Sequence, residues 1–210
     1  MPEKTKITLS DKELTLVKNV DWILTKQTII QKVYELFADN VIAIETGILN
    51  EHALPENVRM SVPKIYKGEN YLRLPYVIMD YPRCFDKEDI FAVRTMFWWG
   101  NFFSITLHVA GIYKDLVKEN VYGDGDMPTD DLFIGVNENQ WQHHFEEDNF
   151  VPFTQLSQQQ RVALFEKNNF IKLAIKFSLD KWNEMPALLK EGYKRIAGIL
   201  LNCPAGEKDL

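Results

Sequence analysis

The chain has 210 residues, 46% of them apolar, and its 30 acidic against 24 basic side chains give a net charge of −6. That is enough apolar material for one sizeable core, and the lack of a basic block argues against a nucleic-acid partner. No window reaches 18 apolar residues, which argues against a membrane-spanning helix. Two cysteines, Cys84 and Cys203, are too few for a disulfide framework and fit reduced thiols in a cytoplasmic protein.

The opening MPEKTKITLSDKE lacks the apolar run of a signal peptide. Ser10 and Glu13 have capping-box spacing, which predicts a short helix from about 11 to 19. Ile30, Val33, Phe37, Val41 and Ile44 recur at intervals of three and four, so the main N-terminal helix should run to a stop near Gly47. NEHALPENVRMSVPK, with two prolines, reads as a connection. YKGENYLRLPYVIMDYP predicts a short strand, a turn at Gly68-Glu69-Asn70 and a longer strand, with Pro75 marking an edge or a bulge. IFAVRTMFWWGNFFSITLHVAG follows as two strands around Gly100-Asn101. Next come a short helix in IYKDLVKEN, a polar loop VYGDGDMPTDD, short strands in LFIGVN and WQHHF, and a helix in LSQQQRVALFEKN. In FIKLAIKFSLD, Ile171, Leu173, Ile175, Phe177 and Leu179 alternate with Lys172, Lys176, Ser178 and Asp180, the pattern of a half-solvated strand. A last helix spans about 183 to 200, with apolar residues at helical spacing.

This order predicts an α+β fold: an antiparallel sheet built around a central hairpin, packed against N-terminal and C-terminal helices. A single domain over 1–210 is expected, with residues 1–9 and 202–210 as flexible termini.

The hairpin carries the functional expectations. A two-residue Gly100-Asn101 turn places Trp99 opposite Phe102. One face then holds Arg94, Met96, Trp98, Phe103, Ile105, Leu107 and Val109 and reads as core. The other holds Val93, Thr95, Phe97, Trp99, Phe102, Ser104, Thr106 and His108, so it is either covered or lining something. Phe97, Trp99, Phe102, Thr106 and His108 are the expected ligand-binding residues. On that face Arg94 admits three readings: snorkelling at the sheet rim, pairing with a carboxylate such as Asp80, Asp86 or Glu88, or holding an anion in a cleft; a three-residue turn would change its facing altogether. His108 is the candidate proton acceptor, with Arg94 beside it as the second catalytic candidate.

Other motifs are weaker. Cys84, next to Arg83, lacks a phosphate-cradling loop and reads as structural or incidental. Asp124, Asp126, Asp130 and Asp131 form an acidic loop whose Asp124, Asp126 and Asp130 are candidate cation ligands, but the EF-hand positions for glycine and glutamate hold Thr129 and Gly135. His143 and His144 are adjacent, which suits opposite faces rather than one metal, and His52 is remote. Neither a phosphate-binding glycine loop nor a nucleophile elbow is present, and no cofactor is expected. The leading expectation is a soluble protein that binds a protein, a second copy of itself or a small molecule through the mixed face. The alternative is a small-molecule hydrolase using His108 with a carboxylate and an anion-holding arginine.

Overall fold

The apolar runs between 64 and 110 pair in sequence as a meander: β1 (Lys64–Tyr71), β2 (Leu74–Phe85), β3 (Ile90–Trp98) and β4 (Phe102–Ala110). The computed structural model describes residues 7–50, 54–123 and 130–201. Beyond the meander lie β5 (Leu132–Gly135), β6 (Phe150–Pro152) and β7 (Phe170–Ser178). All seven strands join one antiparallel sheet in the order β1-β2-β3-β4-β7-β5-β6. The helices that pack on the sheet gather on one face, so the fold is α+β as the element order predicts.

That face is the core. Val77 and Met79 of β2, Val93 and Phe97 of β3, Ile105 and Leu107 of β4 and Leu173 of β7 all lie on it, buried. Over it pack α2 (Val20–Asp39) through Val33 and Phe37, α3 (Val41–Ile44) with its continuing π turn (Glu45–Leu49) through Ile44 and Ile48, and α7 (Met185–Leu201) through Met185, Leu189, Tyr193 and Ile196. Thr95 Oγ1 and Tyr193 Oη meet at 2.6 Å, so the α7 contact is also pinned by a buried hydrogen bond. The stripe expected for one long N-terminal helix is present but broken at Asn40. Its side-chain amide donates to the Leu36 carbonyl (2.7 Å), a local bond that competes with helix continuation. The short helix α1 (Asp11–Lys18) has the predicted capping box on Ser10 and Glu13. The connection after the π turn contains α4 (Glu56–Arg59), and a 3-10 turn (Gly111–Val117) leads into α5 (Lys118–Tyr122). The predicted helix in LSQQQRVALFEKN is α6 (Gln158–Lys167), capped by Ser157 and Gln160.

Three expectations are corrected. The β1–β2 turn is not Gly68-Glu69-Asn70 but Leu72-Arg73, since Tyr71 pairs with Leu74. Glu69 and Asn70 instead form the excess opposite Pro75, between the Gly68–Tyr76 and Tyr71–Leu74 pairs, so the bulge that proline implied sits in the partner strand. WQHHF is not a strand; it belongs to the long β5–β6 connection, residues 136–149. β7 alternates as predicted but is not half-solvated, because Lys172 is only 1% exposed.

Leu72 and Arg73 both have positive φ, 48° and 69°. A two-residue turn with two left-handed residues suits Asn-Gly, and other L-residues there cost about 1–2 kcal/mol each. Replacing Leu72→Asn with Arg73→Gly is therefore expected to raise the unfolding free energy by about 1–2 kcal/mol. A urea unfolding curve with an unmoved or lowered midpoint would contradict this turn geometry.

Candidate functional site

The hairpin register decides which side chains share a face. β3 and β4 pair as Trp98–Phe102, Met96–Ser104, Arg94–Thr106 and Ala92–His108, one residue off the expected register. The turn has three residues, Trp99 to Asn101, with Gly100 left-handed at φ 70°. The cause lies in the neighbouring strand: the Trp99 N–H donates to the Pro75 carbonyl (3.1 Å), which keeps Trp99 on β2 and out of the β4 ladder. The Asn101 N–H closes the turn on the Trp98 carbonyl at 3.1 Å.

The shift regroups the expected site. Phe97 lies on the helix face, its ring 4.9 Å from Phe103 and 5.7 Å from Trp182, and Trp99 packs beside it. Phe102, Thr106 and His108 lie on the opposite face, now together with Arg94, Met96 and Trp98. Arg94 was expected on the core face and Phe97 and Trp99 on the mixed one; both placements are reversed. Asp130 is exposed, and Asp124 and Asp126, like His52 and Cys203, lie outside the described residues. Among the described residues no group of three or more His, Cys, Asp or Glu is arranged to hold a metal ion. Cys84 packs against the core, with the Asn57 amide 3.4 Å and the Tyr113 hydroxyl 3.6 Å from its sulfur.

The mixed face is covered by the 136–149 connection, and a polar cluster fills the seam. Asp80 stands opposite Arg94 in the β2–β3 ladder and accepts from it twice, Nε to Oδ1 at 2.7 Å and Nη2 to Oδ2 at 2.9 Å. Of the three readings of Arg94, the carboxylate pair is the one realised. Burial opposes the guanidinium charge, yet the Asp80 bonds keep its pKa above the ordinary value. Its Nη1 donates to His143 Nε2 (3.0 Å), so this nitrogen of His143 is an acceptor and the imidazole is neutral. Burial and the nearby Arg94 hold His143 well below the usual histidine range. Burial also raises the Tyr66 hydroxyl, beside Asp80, to about 12.

His108 pairs across β4–β7 with Lys172. Its Nε2 lies 3.0 Å from Gln140 Oε1, and burial with the Lys172 and Arg94 charges lowers its pKa to about 3. Lys172 donates to the Gln142 carbonyl at 2.6 Å and, more weakly, to Asn149 Oδ1 at 3.4 Å. Burial, then repulsion from Arg94, brings its pKa down to about 7. Gly135 leaves room for it, since a Cβ there would stand 3.0 Å from Lys172 Cε. Tyr71 fastens the middle of the connection, its hydroxyl accepting from the His143 and His144 backbone N–H groups at 2.6 and 3.0 Å.

Chemically this arrangement clasps a segment. Arg94 spends its donors on Asp80, His143 and, more weakly, the Tyr66 hydroxyl, and the hydrogen-bond partner of His108 is an amide rather than a carboxylate. Sequence reasoning missed Tyr66, Tyr71, Gln140 and Lys172 as members. Lys172 carried a usable signal, a lysine in the interior of a strand otherwise made for burial.

Two recesses flank the seam. One of about 390 Å³ at the hairpin tip is lined by Trp98, Phe102, Phe145, Glu146 and Lys176. The other, about 410 Å³, lies at the far end of the sheet against Ile90, Ala110, Lys114, Gln140 and Phe170. No family model, curated protein or solved structure matches this chain.

Proposed function

We propose that this protein acts by binding another protein, and that the contact surface is the N-terminal helical arm, residues 11–28, rather than the hairpin face. The observation that carries this reading is apolar exposure. Leu14, Leu16 and Val17 of α1 and Val20, Trp22, Ile23 and Leu24 of α2 are each 41–62% exposed. α1 buries none of its residues, and α2 buries nothing before Val33. Open apolar patches beyond a few hundred Å² are uncommon on proteins that stay alone and mark interaction sites. Where α2 leaves the sheet it is tethered by Lys26 to Glu69, at 2.8 Å.

The hairpin face supports this role less well, because Phe97 is committed to the core and the Arg94 cluster to the 136–149 connection. No helix among the described residues is long and apolar enough to cross a membrane.

Side chains that serve a partner do little for their own fold. The combined variant Leu16→Glu, Trp22→Glu, Leu24→Lys is expected to keep the wild-type urea midpoint, within about 0.5 kcal/mol, while losing binding of a hydrophobic dye. A loss above about 2 kcal/mol that does not change with protein concentration would mean that these side chains are packed within the chain, and the reading would fall.

A further inference from the structure

The arm raises a second question, which is what keeps α1 helical. It has 8 residues and buries none of them. Isolated helices shorter than about 12–15 residues are marginal in water, and most helical stability in proteins comes from packing an apolar face. The capping box contributes to its first turn, but among the described residues nothing buries Leu14, Leu16 or Val17.

Resting on the proposed docking role of the arm, we infer that its occupant is the same arm of a second copy, paired antiparallel about a two-fold axis. Charge points to this partner. The arm carries Asp11, Glu13 and Asp21 against Lys12, Lys18 and Lys26, so its net charge is zero and the whole excess of −6 lies elsewhere on the chain. Two copies therefore meet there without bringing their acidic surfaces together. Within α1 the acids sit in the first turn and Lys18 in the last. Antiparallel pairing sets the acidic end of each helix beside the lysine of the other, which is the self-complementarity that a two-fold interface requires. A membrane surface fits less well, because interfacial helices carry an excess of Lys and Arg along the polar face. A standard interface takes about 800 Å² from each partner; Val20, Ile23 and Leu24 on one side of α2, with Leu14 and Val17 on one side of α1, are the exposed apolar residues available for its centre.

Sedimentation velocity across about 1–100 μM, a span that brackets micromolar affinity, tests the inference on the full chain, with hydrogen exchange of the arm amides read in parallel. The expected result is a concentration-dependent shift toward twice the 24.5 kDa chain mass, with arm amides slowed as the dimer forms. Leu16→Glu with Trp22→Glu should leave a monomer. Lys18→Glu should weaken the dimer about 2–5-fold or more, and adding Asp11→Lys should restore it. A wild-type monomer with fast-exchanging arm amides overturns self-pairing and leaves docking to a different protein. A monomer with slowly exchanging arm amides means the chain covers its own arm, and overturns both readings. A dimer indifferent to both charge reversals overturns the antiparallel arrangement.

Discussion

Asp80→Ala is expected to lower the unfolding free energy by about 3–5 kcal/mol, the usual cost of breaking a buried ion pair from one side. The loss is not that of the contact alone. Asp80 holds two of the guanidinium's nitrogens, and in its absence Arg94 keeps a full charge in a seam with no second carboxylate among its described hydrogen-bond partners. The third nitrogen contact, to His143, belongs to the 136–149 connection, so the damage should spread to that segment. Removing both charges at once is a different experiment. Asp80→Leu with Arg94→Met deletes the desolvation cost with the attraction and should recover most of the loss. Urea unfolding of the three proteins at one pH makes the comparison. A single variant as stable as wild type would mean that the pair is open to water, contrary to the burial of both side chains.

The second large effect is a dependence of stability on pH in two separate windows. His108 falls from 6.5 to about 3 on folding, and Lys172 from 10.5 to about 7. Both are bases whose pKa is depressed, so between the two values the unfolded chain binds the extra proton. Stability then rises with pH across each window. The His108 contribution is fully present above pH 6.5 and is lost as pH falls toward 3; the Lys172 contribution is fully present above 10.5 and is lost as pH falls toward 7. Each pKa unit is worth about 1.4 kcal/mol, so each window spans on the order of 5 kcal/mol. His143 is shifted in the same direction as His108 and steepens the lower one. Lys172→Met keeps the length of the side chain and removes the proton. In that variant the rise between pH 7.5 and 9.5 should disappear while the acid limb remains. If wild type is already flat there, Lys172 is hydrated rather than buried against Phe150 and the Gln142 carbonyl.

Much of the fold was legible because the strong signals are local. The Ser10 and Ser157 capping boxes, the alternation in FIKLAIKFSLD and the stripe through Val33 and Phe37 each need only near neighbours in sequence to be read, and each is realised. The site was less legible because its membership depends on one residue of register. Gly100-Asn101 has the composition of a two-residue turn, and the bond that makes it three comes from Pro75 on another strand. A slip of one residue moves a whole strand's side chains to the other face, which is why Phe97 and Arg94 changed places. The cover over Lys172 was invisible for a related reason. WQHHF has the residue types of a strand, but His143 and Gln142 are held by Arg94 and Lys172 instead of by a ladder. The exposed arm was in plain view as Leu14, Leu16 and Val17, yet exposure is a statement about absent neighbours and no periodicity encodes it.

The position of β7 has a consequence for the order in which the molecule comes together. It is the last strand in the chain but sits third from one edge of the sheet, between β4 and β5. During synthesis from the N-terminus, the meander can form as it emerges, while β5 and β6 must wait with unpaired edges until residues 170–178 arrive. The connection between them waits as well, since one of the clasps that holds it is Lys172. The seam is thus the last part of the protein to close, and its closure depends on contacts distant in sequence, the kind that slow folding and leave strand edges open to wrong partners. A chain cut short before Phe170 would hold the meander, an Arg94–Asp80 pair whose cover lacks its Lys172 clasp and an unpaired β4 edge, a combination better suited to aggregation than to any half-built form of the native sheet.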